Sequence, residues 1–110
     1  AGLDYWKNLT YFEYDSWDHY LDKCKPKKIL AFTTKAEKII WNCKIVKQTH
    51  LLFGPETKGL PTSILDYIKN IYSNNSLVKI PMTSTARSLN LATAVYGGLY
   101  EGLRQINFSP

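Results

Sequence analysis

Three short apolar runs govern what this chain can fold into: Lys28 to Thr33 around Ile29, Leu30, Ala31 and Phe32; His50 to Phe53, cut off by Gly54; and Leu77 to Ile80, closed by Pro81. The first two are continuously apolar rather than alternating. A strand apolar on both sides needs cover on both faces, as in the parallel sheets of α/β domains. Helical signals lie between the runs. Asp15 or Ser16 can cap a short helix through about Lys23, with Trp17, Tyr20 and Leu21 on one face and Pro26 as a stop. Pro61 opens a helix to about Ile71, because a first turn does not need the missing N–H. Ser73-Asn74-Asn75-Ser76 is a turn cluster. A terminal helix is predicted from about Ser88 or Leu89 to Ile106, with Ala92, Val95, Leu99 and Leu103 at the spacing of a packed face. Aromatic and β-branched residues predict a further strand over Leu9 to Tyr14. Lys38 to Val46 reads either as a short strand or as an irregular excursion. The alternation predicts an α/β fold with a mostly parallel sheet flanked by helices. The length of 110 residues suits a single domain spanning 1–110.

Ligands of such folds sit beyond the C-terminal ends of the strands. Three strand ends carry unusual loops: Thr33-Thr34-Lys35, Gly54 to Pro61, and Pro81 to Asn90. Gly54 follows a buried run and lacks a side chain, so a ligand can approach its backbone closely. Gly59 can support a turn other residues would resist. Glu56, between them, is either a solvated carboxylate or an anchor for loop amides. Ser88 and Asn90 stand where short polar side chains cap a helix. Arg87 reads equally as a plain surface residue, and Met82 as packing filler.

Composition narrows the classes. At 45% hydrophobic residues, the chain does not read as disordered. No apolar run approaches the length of a membrane span, and no signal-peptide pattern opens the sequence. A cytoplasmic protein is the expectation. Cys24 and Cys43 lack CxxC spacing and are read as reduced thiols. His19 and His50 are isolated in sequence, so no metal site is expected. Fourteen basic residues against nine acidic ones give a net charge of +5, which favours a polyanionic partner without identifying it. Lys23, Lys25, Lys27 and Lys28 are either a solvated loop or a phosphate contact.

The stretch Leu51-Leu52-Phe53-Gly54-Pro55-Glu56-Thr57-Lys58-Gly59-Leu60-Pro61 resembles the second signature of the SPOUT methyltransferases. Ile80-Pro81-Met82, followed by Arg87-Ser88-Leu89-Asn90-Leu91-Ala92, is similar to the third. Tyr100-Glu101-Gly102-Leu103-Arg104-Gln105 resembles the end of the terminal helix in the TrmL/YibK branch, as do Ala1-Gly2-Leu3-Asp4-Tyr5 and Ala31-Phe32-Thr33-Thr34-Lys35 elsewhere in the chain. Two long motifs in order are far more specific than a lone glycine pattern.

The resemblance implies a C-terminal trefoil knot, which no periodicity announces. It also implies S-adenosyl-L-methionine as cofactor, tRNA as substrate, and methylation of the ribose 2′-hydroxyl of the wobble nucleotide in leucine tRNAs. By motif position, cofactor contacts fall on Phe32, Gly54, Ile80, Ser88 and Leu89, while Glu56 and Asn90 support the catalytic loops. A homodimer through the C-terminal helix is implied, and Tyr96, Gly97, Gly98, Leu99 and Tyr100 suit an interface. RNA would be held by lysines on phosphate and aromatics on bases. The family's first signature, with its arginine, falls before the position matching Ala1. An N-terminal strand-helix-strand is therefore expected to be absent and the segment alone inactive. The alternatives are a ribose methyltransferase for another tRNA position or for rRNA, or an inactive cofactor- and RNA-binding dimerisation module.

Overall fold

A computed structural model describes residues 10–55, 58–81 and 91–107. Four strands, β1 (Ile29–Phe32), β2 (Lys38–Ile39), β3 (His50–Leu52) and β4 (Leu77–Lys79), form one sheet in the order β2-β4-β1-β3. All three pairings are parallel. The helices are α1 (Trp17–Cys24), α2 (Thr62–Ile71) and α3 (Leu91–Asn107).

Strand β1 explains the architecture. It lies in the interior of the sheet and all four of its residues are buried. Alternate residues enter different cores. Ile29 and Ala31 join Leu65, Ile68 and Leu77, against which Trp17, Tyr20 and Leu21 of α1 also pack. Leu30 and Phe32 join Ile40, Cys43, Ile45 and Val78, with Ile106 of α3 against them. The continuous apolar run is thus the sum of two alternating faces, each covered by helix.

Local chemistry sets the element ends. The Ser16 hydroxyl accepts from His19 N–H at 3.1 Å and caps α1. Lys25 ends that helix in the left-handed region, at φ 45°, donating its N–H to Leu21 O at 2.9 Å. Pro61 is the N-cap of α2, one residue before the helix begins, and its carbonyl accepts from Ile64 and Leu65 at 3.1 Å each. The stretch Lys38 to Val46, open in sequence, holds the two-residue strand β2 and a 3-10 turn, Ile40–Asn42.

Two sequence expectations are corrected. Residues 10–14 contain no strand, and Tyr11 and Phe12 are each 73% exposed. Among the described residues there is no neighbouring strand for them to pair with, and pairing surroundings are what β-propensity measures. The Tyr14 ring packs instead on His19 and Tyr20 of α1; Leu9 lies outside the described residues. Of the expected packed face of α3, Ala92, Val95, Leu99 and Leu103, only Val95 is half-buried, and Ala92 is exposed. Leu99 and Leu103 are 42% and 44% exposed, while the buried residues of the helix are Gly98 and Gly102. A glycine pair lets the helix sit closer to the sheet than a leucine stripe would, so the face is rotated.

Candidate cofactor site at the C-terminal edge of the sheet

Because the strands are parallel, β1, β3 and β4 end on one edge. Ala31 lies opposite Leu52 and Phe32 opposite Val78, so Phe32, Phe53 and Ile80 reach that edge nearly together. Thr33 N–H donates to Val78 O at 2.9 Å and carries the β1–β4 pairing one residue further. The Phe32 and Phe53 rings stack with centroids 4.4 Å apart and planes 15° apart. Such a pair contributes roughly 0.5–1.5 kcal/mol beyond its burial. It forms a flat, apolar wall.

Helix α3 closes that wall from behind. A Cβ added to Gly98 would stand 2.9 Å from Phe32 Cζ and 3.2 Å from Phe53 Cζ. Sequence reading assigned Gly97 and Gly98 to an interface between copies. The structure instead gives Gly98 to its own sheet, while Gly102 lies against Ile45 and Gly97 has only Ile80 Cδ1 at 3.5 Å from an added Cβ. Tyr96, Leu99, Tyr100 and Leu103 remain exposed.

Beyond Phe53 the chain turns back on itself. A Cβ on Gly54 would lie 2.4 Å from both Gly59 C and Leu60 N, closer than any real contact. Gly59 donates its N–H to Pro55 O at 2.8 Å and holds φ at +68°. The space at Gly54, read from sequence as room for a ligand, is taken up by the loop's own backbone. Glycine is required there for the turn to close, whatever binds outside it. Gly59 has the conformational role expected of it.

Phe32, Gly54 and Ile80 therefore share one edge, as their motif positions imply. Glu56, Ser88, Leu89 and Asn90 lie outside the described residues, as do Met82 and Arg87. Sequence reasoning missed Phe53 and Gly98. The signal for Gly98 was available: glycine inside a helix costs about 1 kcal/mol against alanine, which invites a packing reason.

A recess of about 420 Å³ opens beside the edge between the 3-10 turn and α3, with Trp41, Ile80, Tyr100 and Arg104 among its walls. Trp41 and Tyr100 are 68% and 69% exposed. The Arg104 guanidinium is engaged: Nε donates to Glu101 Oε1 at 2.7 Å and Nη2 to Oε2 at 2.9 Å. That bond, aided by Gln105, holds the Glu101 carboxyl below the usual carboxylate range, burial opposing it.

The remaining candidate groups lie elsewhere. His50 begins β3, at the opposite end of the sheet, with its Nδ1 2.5 Å from the Tyr20 hydroxyl. His19 Nδ1 accepts from Asp15 N–H at 3.1 Å. Lys23, Lys25 and Lys27 are exposed where α1 leads into β1, away from the edge, and Lys28 Nζ donates to Lys44 O at 3.0 Å. Both cysteines are free thiols: Cys24 Sγ donates to the Tyr14 hydroxyl at 3.1 Å and Cys43 Sγ to Ile40 O at 3.0 Å. Burial pushes the Cys43 thiol up, which makes it a poor nucleophile. Among the described residues no group of three or more His, Cys, Asp or Glu side chains could hold a metal, and no helix is long and apolar enough to cross a membrane.

Comparison with known proteins gives this geometry a context. The chain is 36% identical over 109 residues to a tRNA (cytidine(34)-2′-O)-methyltransferase of Saccharophagus degradans, covering 99% of this chain and 68% of that protein. It superposes with TM-score 0.81 and 35% identity on a solved structure concerned with 2-OH methylation of C/U34 on tRNA. A putative RNA methyltransferase from Bacillus anthracis superposes with TM-score 0.80 and 32% identity. Each superposition covers 94% of this chain and 64% of the other, so the chain spans about two thirds of the length of its relatives. Residues 1–100 match the family model described as SpoU rRNA Methylase family. With that match over most of its length, the chain belongs to the SpoU methylase family.

Proposed function

We propose that the protein containing this chain transfers a methyl group from S-adenosylmethionine to the ribose 2′-hydroxyl of the wobble nucleotide, position 34, of a tRNA. The observation that carries this reading is the convergence of Phe32, Phe53, the Gly54 turn and Ile80 on the C-terminal edge of a parallel sheet, in a chain similar throughout to tRNA (cytidine(34)-2′-O)-methyltransferases. The residues fit the cofactor. Adenine and a thioether chain need an apolar slot, and the stacked rings with Ile80 offer one. Strand-end backbone groups would read the adenine edge, and the Ser88-Leu89 segment would complete the slot. When bound, S-adenosylmethionine supplies a sulfonium-linked methyl electrophile. The chain's own part is to fix the cofactor and exclude water, which lowers the entropic share of the barrier. Glu56 and Asn90 support the flanking loops. His50, at the far end of the sheet, and His19, on α1, are not assigned the proton of the attacking hydroxyl.

The same reading extends to the trefoil knot of the C-terminal segment, to leucine tRNAs as substrates and to a cytoplasmic location. It also includes a homodimer. Tyr96, Leu99, Tyr100 and Leu103 leave an apolar surface along α3 that a second copy would cover. A second reading, methylation of rRNA, is favoured by the description of the matching family model.

Both readings meet one test. The protein is incubated with labelled S-adenosylmethionine and either bulk tRNA or ribosomal RNA, and the digested nucleosides are separated. Label in 2′-O-methylated pyrimidine from tRNA is expected. Label from rRNA alone supports the second reading, and label on a base rather than a ribose refutes both.

A further inference from the structure

We infer that Gln105 is a positioning residue for the cofactor site: its side-chain amide sets the rotation of α3 over the Phe32–Phe53 pair. The inference rests on the reading of that edge as the S-adenosylmethionine site. It starts from how the centre of the helix meets the sheet. Gly98 meets the two rings and Gly102 meets Ile45, so the buried centre of α3 is a smooth glycine face. Such a face allows close approach but offers little to resist sliding at Gly98 and Gly102 themselves; the apolar knob that α3 sets into this core is Ile106, one turn beyond Gly102.

Directional bonds come from Gln105. Its Oε1 accepts from Ile45 N–H at 2.6 Å, and its Nε2 donates to Cys43 O at 2.9 Å and to Glu101 Oε2 at 2.9 Å. One amide thus grips both the donor and the acceptor of an extended backbone segment, much as a neighbouring strand would. Both of these backbone partners lie outside α3, so the amide joins the helix directly to the segment that precedes β3. Glu101 steadies the amide and is itself held by Arg104 through two bonds.

Gln105 follows Gly98 by seven residues, so the two share a helix face and lie about 10 Å apart along the axis. A roll that releases the amide would carry Gly98 off the rings and bring a neighbouring side chain toward them. Segment 43–45 also belongs to the loop that leads into β3 and so to Phe53. Gln105 therefore ties together the two elements that frame the slot without touching it.

The test uses the intact protein and S-adenosylmethionine itself. Gln105→Ala should raise the KM for S-adenosylmethionine by about tenfold, the worth of one to two net hydrogen bonds, with kcat at saturating cofactor within about twofold. The KM for tRNA should not move. Ile68→Val trims the other core and should lose stability with no change in cofactor affinity. Gln105→Glu keeps the volume and the acceptor for Ile45 N–H but loses the donor to Cys43 O and to Glu101 Oε2, setting a second carboxyl against Glu101 beside Arg104. It serves if the alanine variant does not fold. Its cofactor affinity, measured calorimetrically, should be weak near pH 8 and recover toward pH 5, as the introduced carboxyl gains a proton it can donate. Wild-type affinity should lack that trend.

Wild-type cofactor affinity in Gln105→Ala, or in Gln105→Glu at the higher pH, would overturn the inference alone. So would losses in Gln105→Ala and Ile68→Val that simply track their stabilities. A wild-type protein that fails to bind S-adenosylmethionine would overturn the site reading, and the inference with it.

Discussion

The three glycines of α3 offer a controlled experiment on one helix, because alanine at each has the same intrinsic benefit but meets different surroundings. Replacing glycine by alanine within a helix stabilises by roughly 0.8–1.0 kcal/mol in the absence of contacts. At Gly97 the nearest atom to the new methyl is Ile80 Cδ1 at 3.5 Å, an ordinary contact, so Gly97→Ala should keep most of that gain. At Gly102 the nearest is Ile45 Cγ2, also at 3.5 Å, and Gly102→Ala should gain several tenths of a kcal/mol by the same rule. At Gly98 the methyl would stand 2.9 Å from Phe32 Cζ and 3.2 Å from Phe53 Cζ. Phe32 is buried and its ring is stacked on Phe53, so moving either ring aside breaks the stack. Overpacking of this kind costs about 1–3 kcal/mol, which exceeds the helical gain. Gly98→Ala should therefore be destabilised by about 1 kcal/mol, and should differ from Gly97→Ala by about 2 kcal/mol. Urea unfolding of the three variants, compared through midpoints at a common slope, reads the difference. A Gly98→Ala protein as stable as Gly97→Ala would mean that the rings do not hold the position described, and the wall of the proposed slot would fall with them.

Other expectations follow from single residues. Gly59→Ala should cost about 1 kcal/mol through its φ of +68°, with open space around it, whereas Gly54→Val should disturb the whole turn by colliding with the Gly59 and Leu60 backbone. Limited proteolysis of the 54–61 loop distinguishes them: rapid cleavage is expected only in the Gly54 variant, and equal resistance would refute the close approach. Ile68→Ala, at a fully buried position, should cost about 2–5 kcal/mol in the same unfolding assay, and a loss under 1 kcal/mol would show the first core to be loose. Burial pushes the Tyr20 phenol up to about 12. A raised acid favours the protonated folded state, so its contribution is full below the unfolded value near 10 and is lost as pH rises toward about 12. Tyr20→Phe should flatten the stability curve across that window, and an unchanged alkaline slope would deny the burial.

The sheet was legible because its signal is local. Ile29 to Phe32 is apolar on both faces, and only a covered, parallel strand uses such a run; Gly54 and Pro81 then mark where strands stop. The residues 10–14 misled because aromatics raise β-propensity whether or not a partner strand exists. Helix α3 misled for a related reason. Leu99 and Leu103 have helical spacing, but spacing says only that residues share a face, and which face packs was decided by the close approach at Gly98 and Gly102. Phe53 passed unnoticed because its partner, Phe32, is distant in sequence and is brought beside it by register. Gln105 is the furthest from legible. Its partners, Cys43 and Ile45, are about sixty residues away, and their backbone groups carry no sequence signal at all.

The central claim is that the cofactor binds at the C-terminal edge of the sheet, and nuclear magnetic resonance during titration with S-adenosylhomocysteine tests it most directly. The ring signals of Phe32 and Phe53, the Ile80 methyls and the Gly54 amide should shift together and saturably, while His50 and Tyr20, at the opposite end, stay still. Shifts centred on His50 and Tyr20, or none anywhere at millimolar ligand, would contradict the account.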